Sequence, residues 1–435
     1  MVQAVRNAFA LPDLRRKLLV TLGILVIYRM AAHVPVPGVN TEALRDALET
    51  RGGLGQLVSI LDMLSGGLVS NFSVMAMGVY PYVTANIIFS LLQPIIPRLA
   101  EIAKEGEAGR QKLNQYQYYL TIPLAALQAI GQIRILQGME TSAGPIMPGF
   151  GFNMTGIATV VTMTAGTMFA IWLGELITEQ GIGNGLSIVI FGGIVARMPA
   201  NMQSLYVSDG FGGLLLFLGI MAVTVLVIVV VQEGQRRIPV QYGKRVRGRK
   251  IYGGQATHIP LRVNTAGMIP LIFAQSILTF PAIIAQFFAN PIGMQPNLAN
   301  HISNLFSGQS AWYWPMYFVM VVAFTYFYTD IMVQQQNLPD ALQRQGGFIP
   351  GIRPGKRTAD YINGVMRRIT LVGALFLGGV AVLPGVIGIV RGDPNADATM
   401  LISSAGLLIV VGVVVDTMRQ LEAQLLMRHY EGFIK

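Results

Sequence analysis

The sequence predicts an all-α polytopic membrane protein, with ten transmembrane helices in two inverted five-helix halves. Three observations carry this. Hydrophobic residues make up 53% of the 435 positions and charged residues 12%, with a mean hydropathy of +0.54, more apolar surface than one soluble core can hide. Ten apolar segments approach the roughly 20 residues that cross hydrocarbon. Basic residues gather in alternate loops.

The segments are 18–32, 72–92, 116–136, 154–177, 185–196, 211–231, 266–289, 312–333, 369–390 and 400–415. Arg15, Arg16 and Lys17 precede the first run, but further runs follow without a small-residue cleavage site, so it reads as a span and not a signal peptide. The first, fifth and tenth are short and need snorkelling flanks to reach both surfaces. Between the first two lies an apolar piece at 57–70, too short to cross, containing Gly66 and Gly67. It reads as a re-entrant half-helix with a hinge or as an amphipathic helix on the outer surface. Pro81, Pro123 and Pro270 fall in the second, third and seventh segments, where a missing backbone donor predicts kinks and cavity-lining backbone.

With the N-terminus inside, 25 of the 31 Lys and Arg residues fall in cytoplasmic segments, which places both termini in the cytoplasm. A polar break, Val207-Ser208-Asp209-Gly210, divides the chain into 1–206 and 207–435. Five spans per half is an odd number, so the second half must run opposite to the first, the topology of an inverted repeat around a central crevice.

Two large cytoplasmic loops, 233–265 and 334–368, belong to the second half. In the first, Ile238, Val240 and Tyr242 alternate with polar neighbours, as do Ile259, Leu261 and Val263, predicting a hairpin. Its tip, Lys244, Arg245, Arg247, Arg249 and Lys250, is concentrated positive charge: a topology anchor attracted to anionic lipid, or a binding surface for phosphate or acidic protein. The second loop holds Gly347-Phe348-Ile349-Pro350-Gly351-Ile352-Arg353-Pro354-Gly355, stiffened by proline and glycine, with Lys356 and Arg357 following.

Several activities lose support. No charged residue sits at a span centre, where ion-coupled carriers place one; Glu175, Asp330 and Asp416 fall near cytoplasmic ends, in solvated or capping positions. The four histidines, His33, His258, His301 and His429, lie outside the spans and no His-Glu-x-x-His pair occurs. Pro354 to Thr358 fails as a phosphate loop, with Pro350 where a glycine is required and Arg357 where the magnesium-binding hydroxyl should be. Without cysteine there are no disulfides or thiolate sites. No catalytic constellation or cofactor site emerges. The span centres offer branched aliphatics instead: Val83 and Ile87, Ile190 and Ile194, each pair four apart on one face, then Ile272 and Ile409.

Four blocks carry a resemblance: 78–85 (GVYPYVTA), 181–185 (GIGNG), 264–274 (NTAGMIPLIFA) and 348–355 (FIPGIRPG). In this order, with ten spans, the chain resembles the SecY family, central subunits of the bacterial protein-translocation channel, over essentially its whole length. The resemblance implies an hourglass pore between the halves, constricted by a ring of Val83, Ile87, Ile190, Ile194, Ile272 and Ile409. It implies a plug around Ile60, Leu61, Met63, Leu64, Ser65, Gly66 and Gly67, and a lateral gate between spans two and three and spans seven and eight, which carry Asn86, Gln128 and Gln275. Implied partners are the small membrane subunits SecE and SecG, the motor ATPase SecA, the ribosome, signal sequences and nascent polypeptides, with Arg353, Lys356, Arg357 and the hairpin tip as the docking surface. The implied location is the bacterial cytoplasmic (inner) membrane, with anionic lipids around the basic loops. The competing reading is a secondary solute transporter with the same inverted repeat, which offers no coupling group and no use for two basic loops.

Overall fold

The computed structural model describes residues 11–40, 43–44, 68–69, 72–93, 95–137, 146–147, 151, 153–242, 245–247, 250–252, 256–288, 297–306, 310, 312–336, 338–391 and 404–431. Each of the ten apolar segments carries helix. Helix α1 (Pro12–Ala31) starts on a proline whose missing N–H costs nothing in a first turn, and buries Leu14, Ile24 and Tyr28. Helix α2 is Tyr80–Leu92, and after Leu92 the chain bends by 105° into α3 (Pro97–Lys104). Helices α4 (Glu107–Gln137) and α5 (Met154–Gln180) follow. Helix α6, Gly185–Glu233, is two helices joined at Gly210, whose φ of 69° and ψ of −167° only glycine adopts easily. The polar break read from the sequence is thus a kink between two spans. The second half continues with α7 (Ile269–Phe288), α8 (Leu298–Phe306), α9 (Tyr313–Gln336), α10 (Leu338–Arg344), α11 (Lys356–Arg391) and α12 (Ser404–Glu431).

Five helical stretches are by themselves long and apolar enough to cross a bilayer, namely Met154–Gln180, Gly185–Val207, Gly210–Glu233, Tyr313–Arg344 and Lys356–Val386, and the bent α2–α3 pair makes a sixth. Their sides show why a bilayer is needed. Leu215, Leu216, Val223, Leu226 and Val230 in the second part of α6 are each at least half exposed, which only lipid or a partner helix can solvate.

Three expectations require correction. The second segment is helical only from Tyr80: residues 72–79 form turns, pinned by a bridge between Pro35 and Ser73. Pro81 and Pro270 do not kink their helices but begin them, because the first turn of a helix has no partner for those N–H groups. Pro123 does lie inside α4, and Pro199, Pro281 and Pro384 also lie inside helices. The segment 334–368 is mostly not loop, since α10 lies within it and α11 already begins at Lys356.

The hairpin is formed by β1 (Gln235–Tyr242) and β4 (Ala256–Arg262), antiparallel with Ile238 opposite Ile259 and Val240 opposite Thr257. Its tip is a second, smaller ladder of β2 (Arg245–Arg247) and β3 (Lys250–Tyr252). A strand absent from the sequence reading, β5 (Gly347–Phe348), pairs with the other edge of β1, Gln241 opposite Phe348, giving the order β4-β1-β5. Ile238, Val240 and Leu261 from this sheet, and Ile349 just after β5, are buried with Val333 of α9 and Ile362 and Met366 of α11. The sheet is therefore fastened to the ends of two membrane helices.

Candidate functional site

Ile190 and Ile194 project from one face of α6. Ile194 and, on α12, Ile409 are buried in one aliphatic cluster with Leu68, Met75, Val79 and Tyr82, and Ile190 packs against it. Ile87 on α2 and Ile272 on α7 are also buried, but outside that cluster, and Val83 is half-buried. Helix α2 packs on α4 and also touches α7, so the remaining ring residues stand on adjoining helices. No Asp, Glu, Lys, Arg or His among the described residues is buried. A lining of this kind forms no hydrogen bonds with whatever passes and excludes water and ions when narrow.

The amides assigned to the gate divide. Gln117 Nε2 donates to Asn86 Oδ1 at 3.4 Å and Gln128 Nε2 donates to Thr84 Oγ1 at 3.3 Å, while the Tyr82 hydroxyl donates to Gln117 Oε1 at 3.3 Å. All three bonds join α2 to α4. Gln275 is buried on α7, where its backbone carbonyl accepts from Thr279 Oγ1 at 2.8 Å. The three residues are therefore not one hydrogen-bonded cluster: two brace one wall and the third belongs to the opposing helix. Two contacts were not foreseen. Tyr82 stacks on Tyr118 with ring centroids 5.5 Å apart, and the Tyr118 hydroxyl donates to Glu175 on α5, so Glu175 has a helix-bridging role beyond solvation.

The basic surface has a fixed shape. Arg353 is exposed on a turn in which Ile352 N–H donates to the Ile349 carbonyl at 3.0 Å and Thr358 Oγ1 donates to the Arg353 carbonyl at 2.9 Å. Gly351 and Gly355, at φ of 81° and 104°, supply the left-handed backbone the turn requires. Lys356 and Arg357 are not on the loop: they open α11, where positive charge opposes the helix dipole and does not help the helix form. Arg245, Arg247 and Lys250 lie in the tip ladder, with Arg247 opposite Lys250. Lys244 and Arg249 lie outside the described residues, as do the plug positions Ile60 to Gly67. Asp416 is paired rather than merely solvated: it lies 3.9 Å from both Arg262 and Arg419, and Arg419 also reaches Glu233 at 2.9 Å. This ties the start of the sheet and the segment leading to α7 to α12.

A model of the SecY family matches residues 73–418. The chain belongs to the SecY family. It is 41% identical over 453 aligned positions to the protein translocase subunit SecY of Mycobacterium bovis, with 100% of both chains covered, and 41% identical over 444 positions to that of Streptomyces galbus, again over both whole chains. Among solved structures, its fold is similar to one described as the structure of a protein conducting channel, at a TM-score of 0.57 and 18% identity, covering 94% of this chain and 92% of the other. A structure concerned with the SecY plug domain gives a TM-score of 0.61 at 17% identity with the same coverage. SecY membership covers the helices that carry all six ring residues and all three amides, and the turn around Arg353.

Proposed function

We infer that this chain is the pore-forming subunit of a protein-conducting channel, which passes unfolded secretory polypeptides across the cytoplasmic membrane and releases transmembrane segments sideways into lipid. The observation that carries the reading is the buried aliphatic cluster in which Ile190 and Ile194 meet Ile409 from the far end of a SecY-family chain. A translocating chain presents every side chain in turn, so a lining that bound one type would stall it; aliphatics hold none and still seal. Val83, Ile87 and Ile272 complete the ring, residues 57–70 act as its plug, and 1–206 and 207–435 are the inverted halves that part to open it. A solute transporter would need a coupling charge among the helices, and no charged side chain among the described residues is buried.

Asn86 and Gln128 on one side and Gln275 on the other set how readily the wall opens to a signal sequence. Arg353, with Lys356, Arg357 and the hairpin tip, forms the docking surface for SecA or the ribosome, and SecE and SecG accompany the chain. Sec61 in a canine ribosome-channel complex, similar in fold at a TM-score of 0.56 and 18% identity, supports the ribosome as a partner. Loop charge supports both termini in the cytoplasm. The absence of cysteine makes the test direct. A single cysteine at Ile87 or Ile272 should crosslink to an arrested secretory chain, and one at the exposed Val223 should not; no crosslink from either ring position refutes the reading.

A further inference from the structure

Between α9 and α11, at the ends that join the sheet, lies a cleft of about 280 Å³. Its floor is Thr329, Val333, Met366 and Thr370, all buried, and the rest of its lining includes one carboxylate, Asp330, and one guanidinium, Arg367, with Asn363 and Tyr326. The volume is below the roughly 300–1,000 Å³ of sites that enclose a whole drug-sized ligand. It suits a small polar group.

The two walls say what that group is attached to. On α11, Asn363, Arg367, Leu371 and Leu375 follow one another at spacings of four, on one face of the helix; Leu371 and Leu375 are 48% and 49% exposed. On α9, Val319 and Phe327 are likewise exposed and lead up to Asp330. Each wall thus runs from a charged group at the membrane boundary into an apolar strip turned toward hydrocarbon. Polar head, then apolar tail, is the outline of a phospholipid.

Charge narrows the class. A purely anionic headgroup would meet Asp330, and a free cation would meet Arg367. A headgroup with both a phosphate and a primary ammonium satisfies both, and a carboxylate has about four acceptor positions, enough to take an ammonium alongside its other contacts. We propose that this cleft binds the headgroup of an aminophospholipid such as phosphatidylethanolamine, its phosphate against Arg367 and its ammonium against Asp330, with the acyl chains along Leu371, Leu375 and Val319. The proposal rests on α9 and α11 crossing the membrane and not on polypeptide translocation, so its test reads lipid occupancy alone.

Native mass spectrometry of the full chain in nonionic detergent, titrated with dioleoyl phosphatidylethanolamine or dioleoyl phosphatidylcholine, separates the outcomes. Both lipids are zwitterionic, so the general positive charge of the protein cancels, and trimethylation removes the N–H donors. The first bound molecule should favour the ethanolamine lipid by roughly tenfold, the scale of one charge-assisted hydrogen bond. Asp330→Asn should reduce that preference to less than about twofold, and Arg367→Gln should weaken retention of both lipids. Soluble phosphoethanolamine at the same concentration should displace nothing. Equal retention of the two lipids by the unaltered chain overturns the proposal whatever the variants do, unchanged occupancy in Arg367→Gln overturns it as well, and displacement by the soluble compound would assign the cleft to a small solute.

Discussion

Replacing Ile409 with Asn tests the seal most sharply. Ile409 is 4% exposed in the aliphatic cluster with Ile194, and the substitution acts on the packed state in two ways. It forfeits part of the roughly 1.5–3 kcal/mol that burying an isoleucine contributes. It also places an amide among largely aliphatic side chains, where an unmet hydrogen bond adds a further cost of about 1–3 kcal/mol. When the cluster parts, water reaches the amide and the second cost vanishes. Counting only that second term, the balance between packed and parted states shifts by about 1–3 kcal/mol, or roughly 5- to 150-fold at about 1.4 kcal/mol per decade. Halide efflux from proteoliposomes should rise within that range, and export of a substrate with a weakened signal sequence should rise with it. Ile409→Leu, which conserves volume and apolarity, should cost less than about 1.5 kcal/mol and leave efflux near its starting value. If Ile409→Asn changes neither efflux nor signal selection while the protein remains folded and inserted, the cluster is ordinary packing and the sealing argument fails.

The other predictions concern the wall, the turn and the helix crossing. Leucine at both Asn86 and Gln128 removes two of the three side-chain bonds described between α2 and α4, worth about 0.6–2 kcal/mol each, and should lower the signal hydrophobicity needed for export; an unchanged requirement in a reporter series counts against a gating role. Arg353→Glu should leave thermal stability within about 0.5 kcal/mol, because the side chain is exposed, yet abolish motor-driven translocation into inverted vesicles. Normal translocation by that variant removes Arg353 from the docking surface. At Gly185 any Cβ would collide with the Gly174 carbonyl oxygen of α5, so Gly185→Val should force the helices apart and lower the melting temperature, with a penalty of about 1–3 kcal/mol from overpacking; an unaltered melting curve would show that this crossing has slack. Arg419→Gln breaks pairs whose carboxylates are about half exposed and should cost no more than about 1 kcal/mol, an effect that fades in high salt.

Hydropathy located the helices because a bilayer demands long apolar stretches, and the break at Gly210 was visible because polar residues cluster where two spans must turn. The hairpin was legible from period-two alternation, and Ile238 and Val240 are buried as that pattern requires. What escaped was set by distant partners. A two-residue strand such as Gly347-Phe348 has no periodicity of its own and exists because β1 offers an open edge more than 100 positions earlier. The start of α11 at Lys356 was hidden by basic residues that hydropathy reads as loop. Prolines were misread where position decides the outcome: the same ring that breaks a helix interior is harmless at Pro81 and Pro270. In the site, the spacing of Ile190 and Ile194 placed them on one face and the family resemblance implied Ile409 beside them, but only the fold could show Ile409 packed in one cluster with Ile194, with Ile87 and Ile272 outside it, and only the fold could show that Asn86 and Gln128 brace one wall together while Gln275 stands on another helix. The Tyr118–Glu175 bond was beyond reach because a glutamate near a span end looks the same whether it meets water or a tyrosine on a neighbouring helix.

The edge pairing of β5 with β1 makes two distant stretches of chain into a single handle. Force applied at the Arg353 turn would act at once on the hairpin and, through Ile349, on the shared anchorage of α9 and α11. Shortening the hairpin would accordingly slacken the Arg353 turn without altering one of its residues, and a binder raised against either stretch should compete for force applied to the other.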